Sequence, residues 1–554
     1  MRSGAWWGPA LHGVALAFAL AMMGAYWASV MPMFLSFIDN DSWPAVVHLA
    51  ISSALIPIYW PAALYRFVLL LCTPVAHWLS PGERVKRLPE GDLPPLVVIV
   101  ATRNEPAELV LSLLKSLDAL NYPSLEIILA DNTDVVKVDG RANVDFVEIY
   151  SFVESTEGRI RLIRRGIGEP AGDTLALPQR MRCLQAKGDT AGGKAGNLNC
   201  AIPSASERCR WALLLDADSS VNDQCIRDLV SVAVRAEGRG ERVGFVQSTL
   251  ASSNASASRL SRAQSVLDSL YYRGFFRLKA AVGVVSNWGH GVLVSRGAWS
   301  ATEGFPRELS EDLAWANELL LQGGFENFLA LAETEEQKPA SWEALKIQRD
   351  RWARGTTTLL FKQMTRLWKA PHLRLWEKLD LTYDMTSYLF TALACLLPVL
   401  FLTSGVLGPA RAQFFSTLLP IFYLVMLIDN LLVPLESLVR VARGKWAAWR
   451  LLLELPMISL FTGAIAAQVL IAVGGAIRGR RADFFVTPKG ARRPDSFNTL
   501  LKLNKTGYCL ALVNGWVAVL AWETNAAIVP LLILSPICYL LAPVAGMHRS
   551  YKPK

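Results

Sequence analysis

The apolar residues of this chain are gathered into blocks, several of them long enough to cross a lipid bilayer. A helix needs about 20 consecutive apolar residues to span the hydrocarbon core. The blocks that approach or exceed this length run over residues 7–38, 45–65, 382–407, 414–438, 507–522 and 526–544. The pattern predicts an α-helical membrane bundle with about six crossings. The first block is too long for a cleaved signal peptide and lacks a small-residue cleavage site.

Residues 88–368, between the second and third blocks, show a strand and helix pattern instead. Leu96–Val100 is a continuous apolar run, typical of a buried parallel strand, and a helical pattern follows at Glu108–Leu120. A second strand is predicted at Leu125–Leu129. The alternation predicts an open α/β sheet that binds ligands at the carboxyl ends of its strands. The polar residues at those ends are Thr102, Arg103, Asn104 and Glu105 after the first strand, and Asp131, Asn132 and Thr133 after the second.

The overall composition agrees with a membrane protein. Hydrophobic residues make up 52% of the chain and charged residues 19%, which is more apolar than an ordinary soluble protein. Basic residues cluster beside the apolar blocks, and these clusters include Arg2, Arg66, Arg84, Lys86, Arg87, Arg440, Arg443, Lys445, Arg450, Arg478, Arg480, Arg481, His548, Arg549, Lys552 and Lys554. The positive-inside rule therefore places both termini and residues 88–368 in the cytoplasm. We therefore attribute the net charge of +9 to the membrane orientation of the chain and to attraction to anionic lipid, and not to nucleic-acid binding.

One apolar segment does not fit a simple count of crossings. Trp449–Ile477 is apolar enough to span a membrane, yet basic clusters lie at both of its ends. A single crossing would leave one cluster outside and invert the last two helices. We therefore predict an interfacial or re-entrant helical segment with breaks at Pro456 and Gly463.

The cysteine and histidine content argues against a disulfide scaffold or a soft-metal enzyme. The eight cysteines form no CxxC pair, and several lie in the predicted cytoplasmic part, where thiols stay reduced. The six histidines form no HExxH motif.

A pair of carboxylates follows the apolar run Trp211–Leu215. Asp216 and Asp218 are separated by one residue, and alternate strand residues point the same way. Two converging carboxylates repel unless a cation or a proton lies between them. A hard divalent ion that also binds substrate phosphate oxygens is the natural occupant, although such a pair also occurs in ordinary turns.

Further motifs suggest phosphate and acceptor binding, each with a structural alternative. Gly192–Asn199 contains KAGNLN and is similar to a phosphate-holding loop, but it lacks the GxxxxGK[ST] pattern. Ser310–Asp312 precedes a predicted helix. Acids at this position are either favoured by the helix dipole alone or supply a catalytic base. The motif QRxRW at 348–352 places Gln348, Arg351 and Trp352 on one helical face. This face could bind a diphosphate and a sugar ring, or it could lie at a membrane interface. His290 is either a ligand contact or, more commonly for such a residue, a structural histidine.

Together these motifs resemble the processive family 2 glycosyltransferases of the cellulose synthase type. The resemblance covers about residues 96–490 and follows the family's motif order. KAGNLN, DxD, an SED in place of TED, and QRxRW are joined by Phe484–Lys489, which matches the family's FxVTxK gating loop.

The resemblance implies a GT-A-type cytoplasmic domain inserted in the membrane bundle, and inverting transfer to a β-linked chain. Asp312 would be the catalytic base, Trp352 and Gln348 would hold the acceptor, and Asp216 and Asp218 would bind Mg²⁺ or Mn²⁺. The remaining implied nucleotide-sugar ligands are Thr102, Glu105, Asp131, Lys194, Asp216, Arg351, Thr487 and Lys489.

The implied domain order follows the apolar blocks. Two N-terminal membrane helices (1–80) precede the catalytic domain (88–368), which ends in the interfacial helix with QRxRW. Two membrane helices (380–438), the interfacial segment with the gating loop (449–500) and two final membrane helices (505–546) follow. The short stretch after the last helix leaves no room within this sequence for a cyclic-di-GMP-binding PilZ domain, so regulation through one is not expected.

The sequence departs from the family pattern at several positions. Arg103 stands where cellulose synthases usually carry tyrosine, and Asp131–Thr133 replaces DDG. Phe245–Thr249 keeps a glutamine but lacks the proline and histidine that usually follow it. Asn287–Gly291 replaces the FFxGS element, and its WGH is similar to osmoregulated periplasmic glucan synthases. These departures leave the sugar and the linkage open.

The leading hypothesis is a bacterial inner-membrane synthase that makes a β-glucan from UDP-glucose and translocates it across the bilayer. Its partners would be the nucleotide sugar, the growing polysaccharide, the lipid bilayer and periplasmic or outer-membrane export subunits, with no nucleic acid. The alternatives are a synthase that uses UDP-N-acetylglucosamine or GDP-mannose, a non-processive lipid glycosyltransferase, and a transporter with a degenerate enzyme domain.

Overall fold

The computed structural model describes most of the chain between residues 7 and 546. The described residues are 7–39, 86–135, 141–164, 193–272, 276, 279–280, 284–404, 445–480, 497–522 and 529–546. The FxVTxK motif and the apolar blocks at 45–65 and 414–438 lie outside the described residues.

A seven-stranded mixed sheet forms the centre of the catalytic domain. Its strands are β1 (Leu96–Thr102), β2 (Leu125–Asp131), β3 (Ile160–Ile163), β4 (Trp211–Asp216), β5 (Val243–Ser252), β6 (Val292–Ser295) and β7 (Glu326–Glu336). The spatial order is β3-β2-β1-β4-β6-β5-β7. β1, β2, β3 and β4 pair in parallel, and so do β5 and β7, whereas β6 runs antiparallel to β4 and β5. The predicted α/β sheet is confirmed, and its mixed arrangement is GT-A-like.

Helices cover both faces of this sheet. They are α2 (Ala107–Asp118), α3 (Val144–Ser155), α4 (Gly193–Ser204), α5 (Asp223–Gly238), α6 (Arg259–Leu270), α7 (Arg296–Ala301) and α8 (Glu311–Gln322). β1 shows why two layers form. Leu96, Val98 and Val100 enter one hydrophobic cluster with α2 and α5, while Val97 and Ile99 enter another with α4 and α8. Successive strand residues point to opposite faces, so a continuous apolar run is buried on both sides.

The remaining helices are α1 (Trp7–Asp39), α9 (Trp342–Lys369), α10 (Leu375–Ser404), α11 (Lys445–Ile477), α12 (Phe497–Leu503), α13 (Lys505–Trp522) and α14 (Val529–Ala545). Most of them are long and apolar, although α12 is short and α9 carries many charged residues. α9 carries QRxRW and packs against α10 and α11. The prediction of helices at the first, third, fifth and sixth apolar blocks is confirmed, although the number of crossings stays a prediction.

α11 differs from the sequence-based expectation. The predicted breaks at Pro456 and Gly463 are wrong, because the helix runs unbroken through both residues. Leu455 and Ile458, on either side of the proline, are both buried in one cluster with neighbouring helices, which holds the helix together across it. Where side chains are described, Glu454–Ile477 is the one helix whose length and composition suffice to cross a membrane, with a mean hydropathy of 2.0.

Candidate active site

The carboxyl ends of three neighbouring strands bring the first candidate residues together. Thr102, the last residue of β1, pairs in register with Asp131, the last residue of β2. Asp216 ends β4 and pairs with Ala101. The sequence-based expectation that polar residues meet at this edge is therefore confirmed for these residues.

Asp131 lies at the centre of a buried polar cluster at the ends of β1 and β2. Its side chain is 1% exposed, and its Oδ1 accepts hydrogen bonds from Thr102 Oγ1 at 2.7 Å, Thr133 Oγ1 at 2.6 Å and the Thr133 backbone N–H at 3.2 Å. Burial raises the pKa of the Asp131 carboxyl, while the nearby charge of Arg164 and the threonine donors oppose the rise. Asp131 is thus held in one orientation at the strand ends.

Arg164 is a residue of this buried cluster that the sequence reasoning missed. Its side chain is 4% exposed, and Nη1 lies 3.6 Å from Asp131 Oδ2. The guanidinium lies 4.6 Å from the centre of the Phe146 ring, and Nη2 donates to the Thr133 carbonyl at 2.5 Å. Burial lowers the pKa of Arg164, against the opposing charge of Asp131. Its position directly after a strand would have indicated it, but β3 is too short for the apolar pattern to reveal.

Asp216 and Asp218 occupy different kinds of backbone. β4 ends at Asp216, whereas Asp218 lies in the turn that follows. The prediction that strand alternation aligns them is therefore wrong. The turn is closed by Ser219, whose N–H donates to the Asp216 carbonyl at 3.0 Å and whose Oγ accepts from the Asp216 N–H at 3.1 Å. Asp218 is 8% exposed.

Lys194 lies in the first turn of α4, so the predicted phosphate-holding loop is a helix from Gly193 onwards. The glycine-rich composition favours a loop, but apolar residues of α4 such as Leu198 pack against the sheet and stabilise the helix. Lys194 Nζ donates to Asp216 Oδ1 at 2.5 Å and to the Gly289 carbonyl at 2.6 Å. Its pKa is raised, because the charges of Asp216, Glu311 and Asp312 outweigh the effect of burial. Lys194 is therefore a fixed ammonium group among carboxylates.

The asparagines of KAGNLN have structural contacts. Asn197 Nδ2 donates to the carbonyls of Thr102 at 3.3 Å and Ala130 at 3.4 Å. Asn199 Nδ2 donates to the Phe305 carbonyl at 2.8 Å. These bonds fasten α4 to the ends of β1 and β2 and so fix the position of Lys194.

Asp312 lies in the first turn of α8, against the segment Trp288–His290. A Cβ on Gly289 would lie 2.8 Å from Asp312 Oδ2, and Gly289 has φ +82°. The backbone of this segment therefore contacts Lys194 on one side and Asp312 on the other. A glycine is required here, since the close approach and the left-handed backbone both exclude a side chain.

The two acids of SED share this buried environment. Burial raises the pKa of both Glu311 and Asp312, and the charge of Asp312 raises that of Glu311 further. Lys194 and Arg351 lower both pKa values through their charges. Glu311 Oε1 is 4.0 Å from Lys194 Nζ. Sequence reasoning had not singled out Glu311 from its neighbours.

QRxRW lies on α9, as predicted, with Gln348, Arg351 and Trp352 all half-buried. The charge of Arg351 acts on both acids of SED, which places its guanidinium on the catalytic side of α9. The guanidinium of Arg349 lies 4.6 Å from the centre of the Trp352 ring, a cation–π contact. The helix thus presents a cation towards the acids and an indole beside it.

Gly355 sets how closely α8 approaches α9. A Cβ at this position would overlap Ser310 Oγ and lie 3.0 Å from Ser310 Cβ. Ser310 is the N-cap residue of α8, directly before Glu311 and Asp312. The absence of a side chain at Gly355 therefore allows the SED motif to dock against QRxRW.

His290 has a structural contact, as the commoner interpretation predicts. It is 6% exposed, and Nε2 lies 2.7 Å from Glu336 Oε2. Burial disfavours the imidazolium, but the charge and hydrogen bond of Glu336 outweigh this and raise the pKa of His290. Glu336 also pairs with Lys338, which is 2.5 Å from Asp268. This series of ion pairs connects the end of β7 to α6 beside the site.

Two further candidates are placed without a resolved role. Glu105 is 8% exposed and lies directly before the helix α2, near the end of β1. Gln348 lies on α9 one turn before Arg351. Thr487 and Lys489 fall outside the described residues, so their role stays a prediction.

The carboxylates at the end of β4 are the candidate ligands for a hard divalent cation. Asp216 and Asp218 would supply oxygen atoms, the ligand type preferred by Mg²⁺ and Mn²⁺. Across the described residues there is no group of three or more histidine, cysteine or acidic side chains arranged for a metal. A cation at Asp216 and Asp218 would therefore take its remaining ligands from substrate phosphates and water, as Mg²⁺ commonly does.

Comparison with known proteins agrees with this geometry. Residues 211–431 match the family described as "Glycosyl transferase family group 2". The match begins at the first residue of β4 and includes the DxD, SED and QRxRW motifs.

A similar curated protein is the probable glucomannan 4-beta-mannosyltransferase 11 of Oryza sativa subsp. japonica. It is 22% identical over 211 residues, which cover 36% of this chain and 35% of that protein. The match thus spans about a third of the length of this relative.

Among solved structures, the chain is similar to the mannosyltransferase PcManGT of Pyrobaculum calidifontis, in complex with GDP-Man and Mn²⁺. The TM-score is 0.44 at 17% identity, over 78% of this chain and 99% of that one.

The family match over β4, α8 and α9 coincides with the residues that the fold gathers into one site. Residues 211–431 thus match a glycosyltransferase family 2 domain, which supports an assignment as a glycosyltransferase.

Proposed function

We propose that this glycosyltransferase is an inverting, processive enzyme that extends a β-linked glucan from UDP-glucose at the cytoplasmic face of a membrane. The observation that carries the proposal is the convergence of Lys194, Asp216, Asp312 and Arg351. Lys194 contacts Asp216 directly, and both cations act on the Asp312 carboxyl. A base, diphosphate-binding cations and metal-binding carboxylates in one pocket are what a direct displacement at a sugar carbon requires.

Asp312 would accept the proton of the acceptor hydroxyl. Its burial raises the carboxyl pKa, which makes the ionised form a stronger base near neutral pH. Oδ1 accepts the Leu313 N–H at 2.7 Å, which orients the carboxylate and leaves Oδ2 on the side of Gly289. As the proton moves to Asp312, the acceptor oxygen bonds to the sugar and the bond to the diphosphate breaks.

Lys194 and Arg351 would stabilise the negative charge that develops on the leaving diphosphate. The anchoring of α4 through Asn197 holds Lys194 in place, so little reorganisation is needed during the reaction. A divalent cation at Asp216 and Asp218 would supply additional charge neutralisation for the same group.

Trp352 would stack against the acceptor sugar. Arg349 covers the indole on one side, which holds the ring in place. We expect Trp352→Ala to reduce chain elongation more than UDP binding, and the reverse result would exclude an acceptor role for the indole.

Exposed apolar side chains support a membrane location. On α13, Leu512 is 76% exposed, Trp516 59% and Val519 60%, and the three residues share one helical face. On α14, Leu534 and Leu541 are more than half exposed. Contiguous apolar surface of this kind is typical of lipid contact. We infer that the bundle crosses the inner membrane about six times and carries the product outward.

A mannosyl donor is the second candidate for the sugar. It is favoured by the names of the two relatives, both of which are mannosyltransferases. The reaction and the roles of Asp312, Lys194 and Arg351 would be unchanged.

The decisive experiment uses the purified full chain in lipid nanodiscs with Mg²⁺ or Mn²⁺. Radiolabelled UDP-glucose, UDP-N-acetylglucosamine and GDP-mannose are supplied separately, and products are digested with β-1,4-glucanase, β-1,3-glucanase or β-mannanase. We expect long product from UDP-glucose that a β-glucanase degrades. Product from GDP-mannose alone would establish the mannosyl alternative, while a single sugar added to lipid would exclude polymerisation.

A further inference from the structure

Residues 287–291 lead into β6 without helix or strand, and their backbone is fixed by hydrogen bonds. The Gly289 N–H donates to Asn287 Oδ1 at 2.8 Å, which turns the segment back on itself. The Gly291 N–H donates to the Leu214 carbonyl of β4 at 2.8 Å, which anchors the other end to the sheet. The segment therefore enters the site as a fixed piece of backbone.

Gln247 of β5 clamps the same segment through its side-chain amide. Oε1 accepts the Trp288 N–H at 3.1 Å, and Nε2 donates to the His290 carbonyl at 3.0 Å. The two bonds lie on either side of Gly289. Gln247 is 0% exposed, so water cannot replace either bond. Glutamine suits this position, because its amide donates and accepts hydrogen bonds at the same time.

The clamped backbone presents one carbonyl to Lys194. The Gly289 carbonyl accepts from Lys194 Nζ at 2.6 Å, and Asp216 Oδ1 accepts from the same ammonium at 2.5 Å. An ammonium has three N–H donors, so one of them remains. Among the described residues no third acceptor lies within hydrogen-bond distance, since Glu311 Oε1 is 4.0 Å away. The remaining donor is therefore available to a ligand, in a direction set by the other two.

The direction of that donor depends on where the Gly289 carbonyl points. Gly289 has φ +82°, and the backbone of a glycine rotates more freely than that of other residues. Without the two bonds to Gln247, the carbonyl would be free to turn away from Lys194. The ammonium would then turn towards the carboxylates of Asp216 and Glu311, and its third donor would no longer point to a ligand.

We propose that Gln247 is a positioning residue, which holds the Gly289 carbonyl against Lys194 and so aims the ammonium at the leaving diphosphate. The inference rests on the proposed function in taking Lys194 as a diphosphate ligand. Gln247 is too deeply buried to contact the substrate itself, and its bonds are all to backbone. Its role is therefore independent of the sugar and of the nucleobase.

The test is a double-mutant cycle on kcat, with the full chain in lipid nanodiscs and Mg²⁺. Gln247→Met keeps the size of the side chain and removes both bonds. We expect kcat to fall by about ten- to hundredfold, while the KM for the donor changes by less than about threefold, because the charge on the diphosphate grows as its bond to the sugar breaks. Lys194→Met should lower kcat by about 10²- to 10³-fold.

The double variant separates positioning from general structural damage. If Gln247 acts through Lys194, then Gln247→Met should lower kcat by no more than about twofold in the Lys194→Met background. Losses that multiply would show that Gln247 only supports the fold, and would overturn the inference. An unchanged kcat in the Gln247→Met variant would overturn it as well.

Thr249→Val is the matched control on the same strand. Thr249 is 3% exposed, and its Oγ1 donates to the Ala332 carbonyl at 3.0 Å, so its bond goes to β7 instead of segment 287–291. The variant loses a buried bond from a side chain to the backbone, and kcat should stay within about twofold of wild type. A loss of kcat equal to that of Gln247→Met would contradict the inference.

Asn287→Ala reaches the same carbonyl by a second route and carries the test if Gln247→Met does not fold. It removes the acceptor of the Gly289 N–H, so kcat should fall by about three- to tenfold, and by no more than about twofold in the Lys194→Met background. Multiplying losses here would likewise overturn the inference.

The choice of donor separates this inference from the proposed glucan synthesis. UDP-glucose, UDP-N-acetylglucosamine and GDP-mannose are supplied separately, and the cycle is measured with the donor that the wild type uses. Transfer from GDP-mannose alone, with a cycle in which the losses do not multiply, would support the role of Gln247 and contradict the glucan proposal. Transfer from UDP-glucose with multiplying losses would do the reverse.

Discussion

The two ends of the proposed site, one proposed to bind the nucleotide and the other to carry out catalysis, are constructed differently. Thr102, Asp131 and Arg164 lie at the ends of three adjacent parallel strands, where Asp131 accepts a hydrogen bond from Thr102 and pairs with Arg164. Lys194, Asp312 and Arg351 come from three separate helices, held together by helix packing at Gly355 and Asn197. Strand register is hard to disturb, whereas helix docking depends on a few close approaches. We therefore expect changes at the first end to alter nucleotide affinity and changes at the second to alter turnover.

The largest effect should come from Asp312→Asn. The amide cannot accept the acceptor proton, so kcat should fall by about 10²- to 10⁴-fold while UDP binding remains close to wild type. Turnover by radiolabelled sugar transfer and binding by calorimetry are measured on the same preparation. Glu311→Gln is the comparison variant, since it leaves the Asp312 carboxylate in place. Higher residual activity in Asp312→Asn than in Glu311→Gln would contradict the assignment of the base.

Gly355→Ala should separate the two ends of the site. The new methyl group overlaps Ser310 and displaces the start of α8, and a shift of about 1 Å in catalytic geometry costs about a hundredfold in rate. We expect kcat to fall by about ten- to hundredfold with little change in UDP affinity.

Gly474→Ala provides the control for the helix propensity of alanine. A Cβ at Gly474 on α11 meets nothing within 4 Å, so the Gly474→Ala variant should keep the wild-type kcat. If Gly355→Ala leaves kcat intact, the docking of α8 on α9 is not what positions the base.

Acidification should inactivate the catalytic end. Burial raises the pKa of Asp312, and the protonated form cannot act as a base. Activity should therefore be lost as pH falls through this raised value, which lies above the usual aspartate pKa of about 3.9, by about tenfold per pH unit. The measurement is kcat against pH, with UDP binding followed at each pH. An acid limb at the ordinary aspartate pKa would contradict the burial argument.

The smallest effect is expected at the nucleotide end, from Thr102→Val. The substitution removes one of the three donors to Asp131 Oδ1 and leaves the strand pairing intact. UDP affinity should weaken about three- to tenfold, which corresponds to the net value of about 1 kcal/mol for a typical hydrogen bond, with kcat unchanged. Thr156→Val removes a buried hydroxyl away from the site and serves as the control. A drop in kcat without loss of affinity would show that the two ends are not separable.

Much of the nucleotide end could be predicted from the sequence because fully buried parallel strands are continuous apolar runs. β1, β2 and β4 begin at the predicted residues, Leu96, Leu125 and Trp211, and extend to the polar residues that mark their ends. β3 was missed because it has four residues and includes an arginine. Arg164 was missed with it.

The catalytic end was harder to predict from the sequence, because tertiary packing determines its local structure. The glycine-rich start of α4 favoured a loop by composition, yet its apolar residues pack on the sheet as a helix. Pro456 predicted a break in α11 that neighbouring helices prevent. No sequence pattern indicates that Gly355 faces Ser310, since that contact joins helices far apart along the chain.

Asp350, the central residue of QRxRW, accepts a hydrogen bond from Gln468 of α11 at 2.8 Å and pairs with Arg354 at 2.6 Å. Gly475, two residues before the end of α11, lies against the Arg354 guanidinium. In sequence, Thr487 and Lys489 follow the end of α11 by ten and twelve residues. The helix that carries Trp352 and the helix that precedes the FxVTxK segment in sequence therefore share one polar joint. If Trp352 holds the acceptor and the FxVTxK segment closes over the donor, as we propose, a sliding motion of α11 would either break that joint or carry Trp352 with it, and would so couple donor entry to the position of the acceptor.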